Sequence, residues 1–279
     1  MTVGYSEAAT KRVTGRSGIE YAYRECGAGA VPLILLQHFR GNLDNWDPAL
    51  VDALAAERRV VAFDNAGVGA SGGEVPHTVA EMARDALVFL DAIGCEQADV
   101  LGFSIGSFVA QEIALIRPDV VRRLVLASSA PRGGPDMHGW AAEVIGAVGQ
   151  PEPNPEGVLG VFYAESDRSR QAGMQAFGRM AVRVSDRDEP TTWASGLAQY
   201  DAVCEWGVPD HALLERVGAI KVPVFVANGD SDPMILPRYS YLLAGLLTQA
   251  RLKIYPDSAH GFLFQHHAEF AADVNVFLT

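Results

Sequence analysis

A serine hydroxyl becomes a nucleophile only where a base takes its proton, so the search starts with serines on strand-to-helix turns and histidines able to reach them. Ser104 stands in Gly102-Phe103-Ser104-Ile105-Gly106, a G-x-S-x-G. Gly69-Ala70-Ser71-Gly72-Gly73 fits the same pattern. A nucleophile elbow needs a strand running into it and a helix leaving it, which puts the hydroxyl at the strand's tip. DVLGF leads into Ser104 and IGSFVAQEIALI leaves it, whereas Ser71 lies well beyond its strand and is followed by Glu74-Val75-Pro76. Ser104 is the candidate nucleophile, and Ser71 reads as part of a glycine-rich turn. At Gly102 and Gly106 a Cβ is expected to collide where strand and helix pass closely. Ile105 opens the helix, so its N–H is placed to donate to a developing oxyanion.

The chain has seven histidines. Of these, His260, His266 and His267 lie beyond the last apolar run. His260 sits in the loop Tyr255-Pro-Asp-Ser-Ala-His-Gly261, where the following glycine lets the imidazole turn back over the sheet, and it is the candidate base. His266 and His267 fall on the final helical stretch and read as solvated. Metal binding by the three finds no acidic or cysteine ligand at suitable spacing. Two aspartates follow the run VPVFVAN, in Asn228-Gly-Asp-Ser-Asp-Pro-Met234. Asp232, clear of the strand end and just before a Pro-led turn, is preferred as the acid that fixes the His260 tautomer. Asp230 is the alternative, and a turn aspartate bonding its own backbone is the plain reading of either.

These groups need a scaffold that brings them together. Ile19–Glu25 alternates apolar and polar residues, as a half-exposed antiparallel strand does. Leu33–Gln37, Arg59–Asp64, Asp99–Phe103, Arg123–Ala127, Val222–Asn228 and Ala250–Tyr255 are denser apolar runs, as in a parallel sheet covered on both faces. Helical periodicity marks Thr78–Ile93, with Thr78 and Glu81 at capping-box spacing, and Ser104–Ile116. Weaker helical stretches surround Pro237–Leu247 and His266–Phe277. The alternation predicts an α/β fold, a doubly wound and mostly parallel sheet.

It breaks between Arg132 and Gly218, where no strand is evident and three of the four tryptophans lie. This predicts a core over residues 1–131 and 219–279 with a helical cap over 132–218. Trp140, Phe162, Phe177, Met180, Trp193 and Trp206 are candidates to line an apolar pocket beneath it, though aromatics at helical spacing also simply pack a core. Asp167–Arg170 and Asp186–Glu189 read as solvated faces.

Five segments resemble the α/β-hydrolase fold superfamily: Gln37-His38-Phe39-Arg40-Gly41, Asp64–Ser71, Gly102–Gly106, Gly229-Asp230-Ser231-Asp232 and Ala259-His260-Gly261. The resemblance spans roughly residues 31–131 and 219–279. It implies Asp232 as triad acid, His260 as base, and a second oxyanion donor in the backbone N–H of Phe39. The family usually has His-Gly after the first parallel strand; here Phe39 follows His38 directly. His38 is expected to brace that loop and border the substrate, and Asp44 and Trp46 to pack against it. Within the superfamily the sequence is similar to cofactor-free esterases, lactonases and non-haem haloperoxidases (perhydrolases). C–C bond hydrolases share the same three side-chain types and stay open, as does a ligand-binding protein without turnover. Dehalogenases and epoxide hydrolases use an aspartate where Ser104 stands.

Composition limits the partners. With 34 acidic against 22 basic residues the net charge is −12, which opposes binding to nucleic acid or an anionic membrane. Val31–Leu36 is far shorter than the roughly 20 apolar residues of a membrane span. No signal-peptide pattern opens the sequence, and three cysteines without a CxxC suit free thiols, so the expected location is cytoplasmic. The expected ligand is a small, apolar or weakly polar ester, thioester or lactone, with no cofactor or metal. The oligomeric state is open, a homodimer included.

Overall fold

Every residue of Leu33–Leu36, Val60–Phe63, Ala98–Phe103 and Val224–Gly229 is buried, as runs apolar on both faces must be when helices cover a sheet on each side. The computed structural model describes residues 3–152 and 154–279. Among these, eight strands form one sheet: β1 (Lys11–Thr14), β2 (Glu20–Cys26), β3 (Leu33–Leu36), β4 (Val60–Phe63), β5 (Ala98–Phe103), β6 (Val121–Ala127), β7 (Val224–Gly229) and β8 (Ala250–Tyr255). Their order is β1-β2-β4-β3-β5-β6-β7-β8. β2 pairs antiparallel with β1 and β4, and all other pairings are parallel. The fold is therefore the expected α/β sheet, mostly parallel.

In the core, α1 (Pro48–Ala55), α2 (Val79–Ala92) and α3 (Ile105–Ile116) precede β6. Five helices stand between β6 and β7: α4 (Ala142–Val148), α5 (Pro155–Phe162), α6 (Asp167–Met180), α7 (Trp193–Trp206) and α8 (His211–Arg216). Then come α9 (Pro237–Leu246), α10 (Phe262–Gln265) and α11 (His267–Leu278). Thr78 caps α2 by accepting the Glu81 N–H at 3.3 Å. α3 is buried along most of its length, as a helix apolar nearly all round should be.

Three features depart from the sequence reading. β1 has no apolar pattern; Lys11-Arg12-Val13-Thr14 is an edge strand, mostly exposed and charged. α1 was not visible as a periodic run, and it begins at Pro48 behind the cap residue Asp47. β2 is not half-exposed. Its polar face is covered, and Arg24, 1 % exposed, pairs with Asp44 at 2.6 Å and donates to the Asp186 carbonyl at 3.1 Å. Asp186, Arg187 and Glu189 are exposed, as a solvated face predicts, and the segment also bonds the core. Asp186 Oδ2 accepts from Thr10 N–H, the Asp188 N–H donates to Asp44 Oδ2 at 2.8 Å, and the Glu189 carbonyl accepts from Asn42. Arg187 also pairs with Asp44 at 3.5 Å.

Among the described residues no helix is long and apolar enough to cross a membrane, and no three His, Cys, Asp or Glu side chains could hold a metal ion. Cys26, Cys95 and Cys204 are unpaired thiols.

Candidate functional site

Ser104 connects β5 to α3 with φ 58° and ψ −126°, a conformation strained for any residue with a Cβ. The turn needs the two glycines beside it. A Cβ on Gly102 would lie 2.3 Å from the Gly106 carbonyl oxygen, and one on Gly106 would lie 2.2 Å from that of Leu36. The Ser104 N–H donates to the Ala127 carbonyl at 3.0 Å, and Ser107 Oγ donates to the Ser104 carbonyl. The serine is thus held from both sides at the carboxyl end of the sheet.

The loop after β8 delivers His260, and the loop after β7 delivers Asp232. His260 Nε2 lies 2.9 Å from Ser104 Oγ, and Nδ1 lies 2.8 Å from Asp232 Oδ2. Ser104, His260 and Asp232 are all at most 2 % exposed. The other Asp232 oxygen accepts the N–H groups of Met234 at 2.9 Å and Ile235 at 3.0 Å. A carboxylate so fixed keeps Nδ1 protonated and Nε2 free to accept from the serine hydroxyl. Asp230 does not reach His260. It accepts from Asp257 N–H, Ser258 N–H and Ser231 Oγ, so it staples the turn that carries the base. Burial opposes its charge, but the Asp257, Ser231 and Ser258 donors outweigh this and hold its pKa below the usual carboxylate value.

Two polar residues at strand ends escaped the sequence reading. Ser128 Oγ, just past β6, bridges Asn228 Oδ1 at 2.9 Å and the His260 carbonyl at 3.1 Å. Asn228 Nδ2 donates to the Ile235 carbonyl beyond Asp232. A polar residue closing an otherwise apolar strand was the available signal. The helical segment joins in as well. The carbonyls of Val161 and Phe162, at the end of α5, accept from His260 N–H at 3.3 Å and Gly261 N–H at 2.7 Å.

The Ile105 N–H opens the twelve-residue α3, where the helix dipole favours negative charge. No acceptor meets it or the Phe39 N–H among the described residues. The Phe39 ring packs edge-on to Trp140 at 4.9 Å. His38 Nδ1 donates to the Phe39 carbonyl at 2.8 Å, which braces this loop. Burial, with a smaller contribution from the charge of His260, outweighs that bond and pushes the His38 pKa down to about 4. Arg40 has φ 59°, and its N–H and carbonyl are tied to Gln199 and Thr191.

A cavity of about 600 Å³ opens beside His260, lined among others by His38, Arg40, Asn45, Val158, Phe162 and Trp193. A second of about 220 Å³ shares His38, Asn45 and Phe162 with it and adds Phe177, Met180 and Phe264. Of the six candidate pocket residues, four border one or other cavity. Trp140 and Trp206 line neither. Trp206 stacks on Phe108 at 5.0 Å and donates to the Ala130 carbonyl, while Trp140 lies between Phe39 and Tyr200. Both serve packing because their ring faces are already covered. Arg40, Asn42, Asn45 and Met234 border the larger cavity and were not singled out as pocket-lining from sequence.

The remaining candidates have structural partners. Ser71 Oγ donates to the Asp64 carbonyl and accepts the Ala22 N–H, pinning β2 to the loop after β4. His266 and His267 are half-buried rather than solvated, each with a ring nitrogen bonded to a backbone carbonyl, of Pro256 and Phe264. Trp46 is buried and meets Phe264 edge-on.

Comparison with known proteins agrees with this architecture. Residues 31–267 match the profile of the alpha/beta hydrolase fold family. A protein named "Putative carbamate hydrolase RutD" from Azorhizobium caulinodans is 37% identical over 86% of this chain and 88% of its own length. A 2-hydroxymuconate semialdehyde hydrolase from Pseudomonas sp. strain CF600 is 29% identical over 94% of this chain and 91% of its own. The solved structure of an alpha/beta hydrolase fold protein from Chitinophaga pinensis is 38% identical, covers 99% of both chains and superposes with a TM-score of 0.93. With its sheet order, its strand-to-helix serine turn and a profile match over most of its length, this chain belongs to the α/β-hydrolase family.

Proposed function

We propose that this hydrolase cleaves a carboxylic ester, thioester or lactone through an acyl-enzyme on Ser104. The observation that carries the reading is the unbroken relay from Ser104 Oγ through His260 to Asp232, with links of 2.9 and 2.8 Å. In this mechanism His260 Nε2 takes the Ser104 proton as Oγ attacks the carbonyl carbon. The N–H groups of Ile105 and Phe39 hold the resulting oxyanion. His260 then gives its proton to the leaving oxygen or sulfur, and the acyl-enzyme forms. Water, deprotonated by His260, attacks that acyl group; the acid leaves and the proton returns to Ser104. Asp232 holds the imidazole in its tautomer throughout and stabilises the imidazolium.

Residues 132–218 act as a cap, and Phe162, Phe177, Met180 and Trp193 give the substrate its apolar surroundings. A small, weakly polar substrate suits these walls. The likeness to the protein named for carbamate hydrolysis favours a second reading, a carbamate cleaved by the same relay. The test is labelling by a fluorophosphonate probe together with turnover of a short p-nitrophenyl ester and a matched carbamate. Ser104→Ala should abolish labelling and turnover alike. Full activity in that variant would sink the assignment, and the ratio of the two substrates decides between the readings.

A further inference from the structure

His38 is fixed in one neutral form. A carbonyl oxygen cannot donate, so the hydrogen in the 2.8 Å contact with Phe39 belongs to Nδ1. With the ring held neutral at ordinary pH, Nε2 carries a lone pair and accepts. That nitrogen has no partner among the described residues, and it is not one of the fully enclosed unpaired polar atoms. It therefore keeps open surface. The open space beside His38 is the junction of the two cavities, since His38 borders both. The His38 ring packs against the same two phenyl rings as His260. It meets Phe103 and Phe162 edge-on at 5.3 Å each, and His260 lies 5.1 and 5.3 Å from the same two rings. In the chain His38 directly precedes Phe39, whose N–H is the second oxyanion donor in the mechanism proposed above.

Resting on that mechanism, we infer that His38 Nε2 is a specificity acceptor, selecting substrates that carry an O–H or N–H donor on the atom attached to the scissile carbonyl. The class includes 2-hydroxy esters and carbamates with a free N–H. A donor there satisfies a nitrogen that is otherwise left without a partner in a largely apolar wall. A methylated analogue leaves it unpaired, and sites built around a hydrogen bond discriminate on that basis.

Two substitutions separate this role from loop bracing. His38→Asn keeps a donor near the Nδ1 position but loses the acceptor. His38→Gln reaches the Nε2 position with its carbonyl oxygen but gives up the brace. The probes are the phenyl esters of 2-hydroxypropanoate and 2-methoxypropanoate, compared by kcat/KM. The wild type should prefer the hydroxy ester about tenfold, the scale of one neutral hydrogen bond. His38→Asn should bring that ratio near one, and His38→Gln should retain most of it even where both rates fall. A ratio unchanged by His38→Asn, or near one in the wild type, overturns the inference. Calorimetric binding of the hydroxy and methoxy propanamides to the Ser104→Ala protein gives the same ratio without turnover. A binding ratio that depends on His38, found together with a wild type that hydrolyses neither ester, overturns the hydrolase reading and leaves the acceptor standing.

Discussion

The two sides of the candidate site are held in place by different kinds of contact. On one side Ser104, Asp232 and His260 stand at the ends of β5, β7 and β8, and backbone N–H and carbonyl groups fix the turns that carry them. On the other side, the segment between β6 and β7 meets the core through apolar packing, the backbone bonds at the end of α5 and a set of ion pairs. Arg24, Arg183 and Arg187 gather around Asp44, Arg179 grips Asp47, and Arg216 grips Glu112. The three candidate residues thus rest mainly on backbone bonds, whereas much of the opposite side rests on side chains.

Five substitutions sharpen or break this contrast. The largest effect is expected at the relay. Asp232→Asn should cut kcat on the order of 10⁴-fold with the fold intact, through the wrong histidine tautomer. Asp230→Asn should cost under tenfold in kcat and act mainly on stability, by about 1 kcal/mol. The reverse order in steady-state kinetics would move the acid to Asp230. Next, Arg24→Met leaves Asp44 with the Asp188 N–H at 2.8 Å and, as charged partners, Arg183 at 4.0 Å and Arg187 at 3.5 Å. Urea unfolding should show a loss of about 3 kcal/mol, as for a buried pair stripped of one partner. A change under 1 kcal/mol would mean that the two remaining arginines suffice.

Met180→Trp should fill the smaller cavity. We expect KM for long-chain esters to rise about tenfold while acetate-ester turnover stays within twofold. An equal loss for both lengths would place that cavity outside the substrate path. The smallest effect concerns Asp64. Burial and the facing Asp188 carboxyl raise its pKa well above the usual value, and the Ala70 and Leu43 N–H groups only partly offset this. The folded chain then holds a proton that the unfolded chain releases near pH 4. The associated stability is complete below that range and is lost as pH rises through the folded-state pKa. Melting curves of wild type and Asp64→Asn should diverge in the variant's favour as pH rises above about 4. Parallel curves would mean that neither burial nor Asp188 holds a proton on Asp64.

The reacting side was also the legible one. A strand-to-helix G-x-S-x-G, an aspartate past one apolar strand and a loop histidine past the last are each local patterns. The parallel strands are apolar on both faces and announce themselves. β1 stayed hidden because an exposed edge strand has no apolar face to reveal. The burial of Arg24 was hidden too, since alternation in β2 speaks of two faces but not of a distant segment that covers one. Which aromatics border the cavities depends on the crossing angles of α5, α6 and α7, and helical periodicity carries no such information. Hence Phe162 and Trp206 look equivalent in sequence and sit in different surroundings.

The end of α5 gives this arrangement a mechanical consequence. Because the Val161 and Phe162 carbonyls bond the backbone of His260 and Gly261, any displacement of that helix end would strip two tethers from the loop that carries His260. Under the proposed mechanism, a bulky guest that pushed α5 aside would then face an unbraced base and be slow to react however tightly it is held.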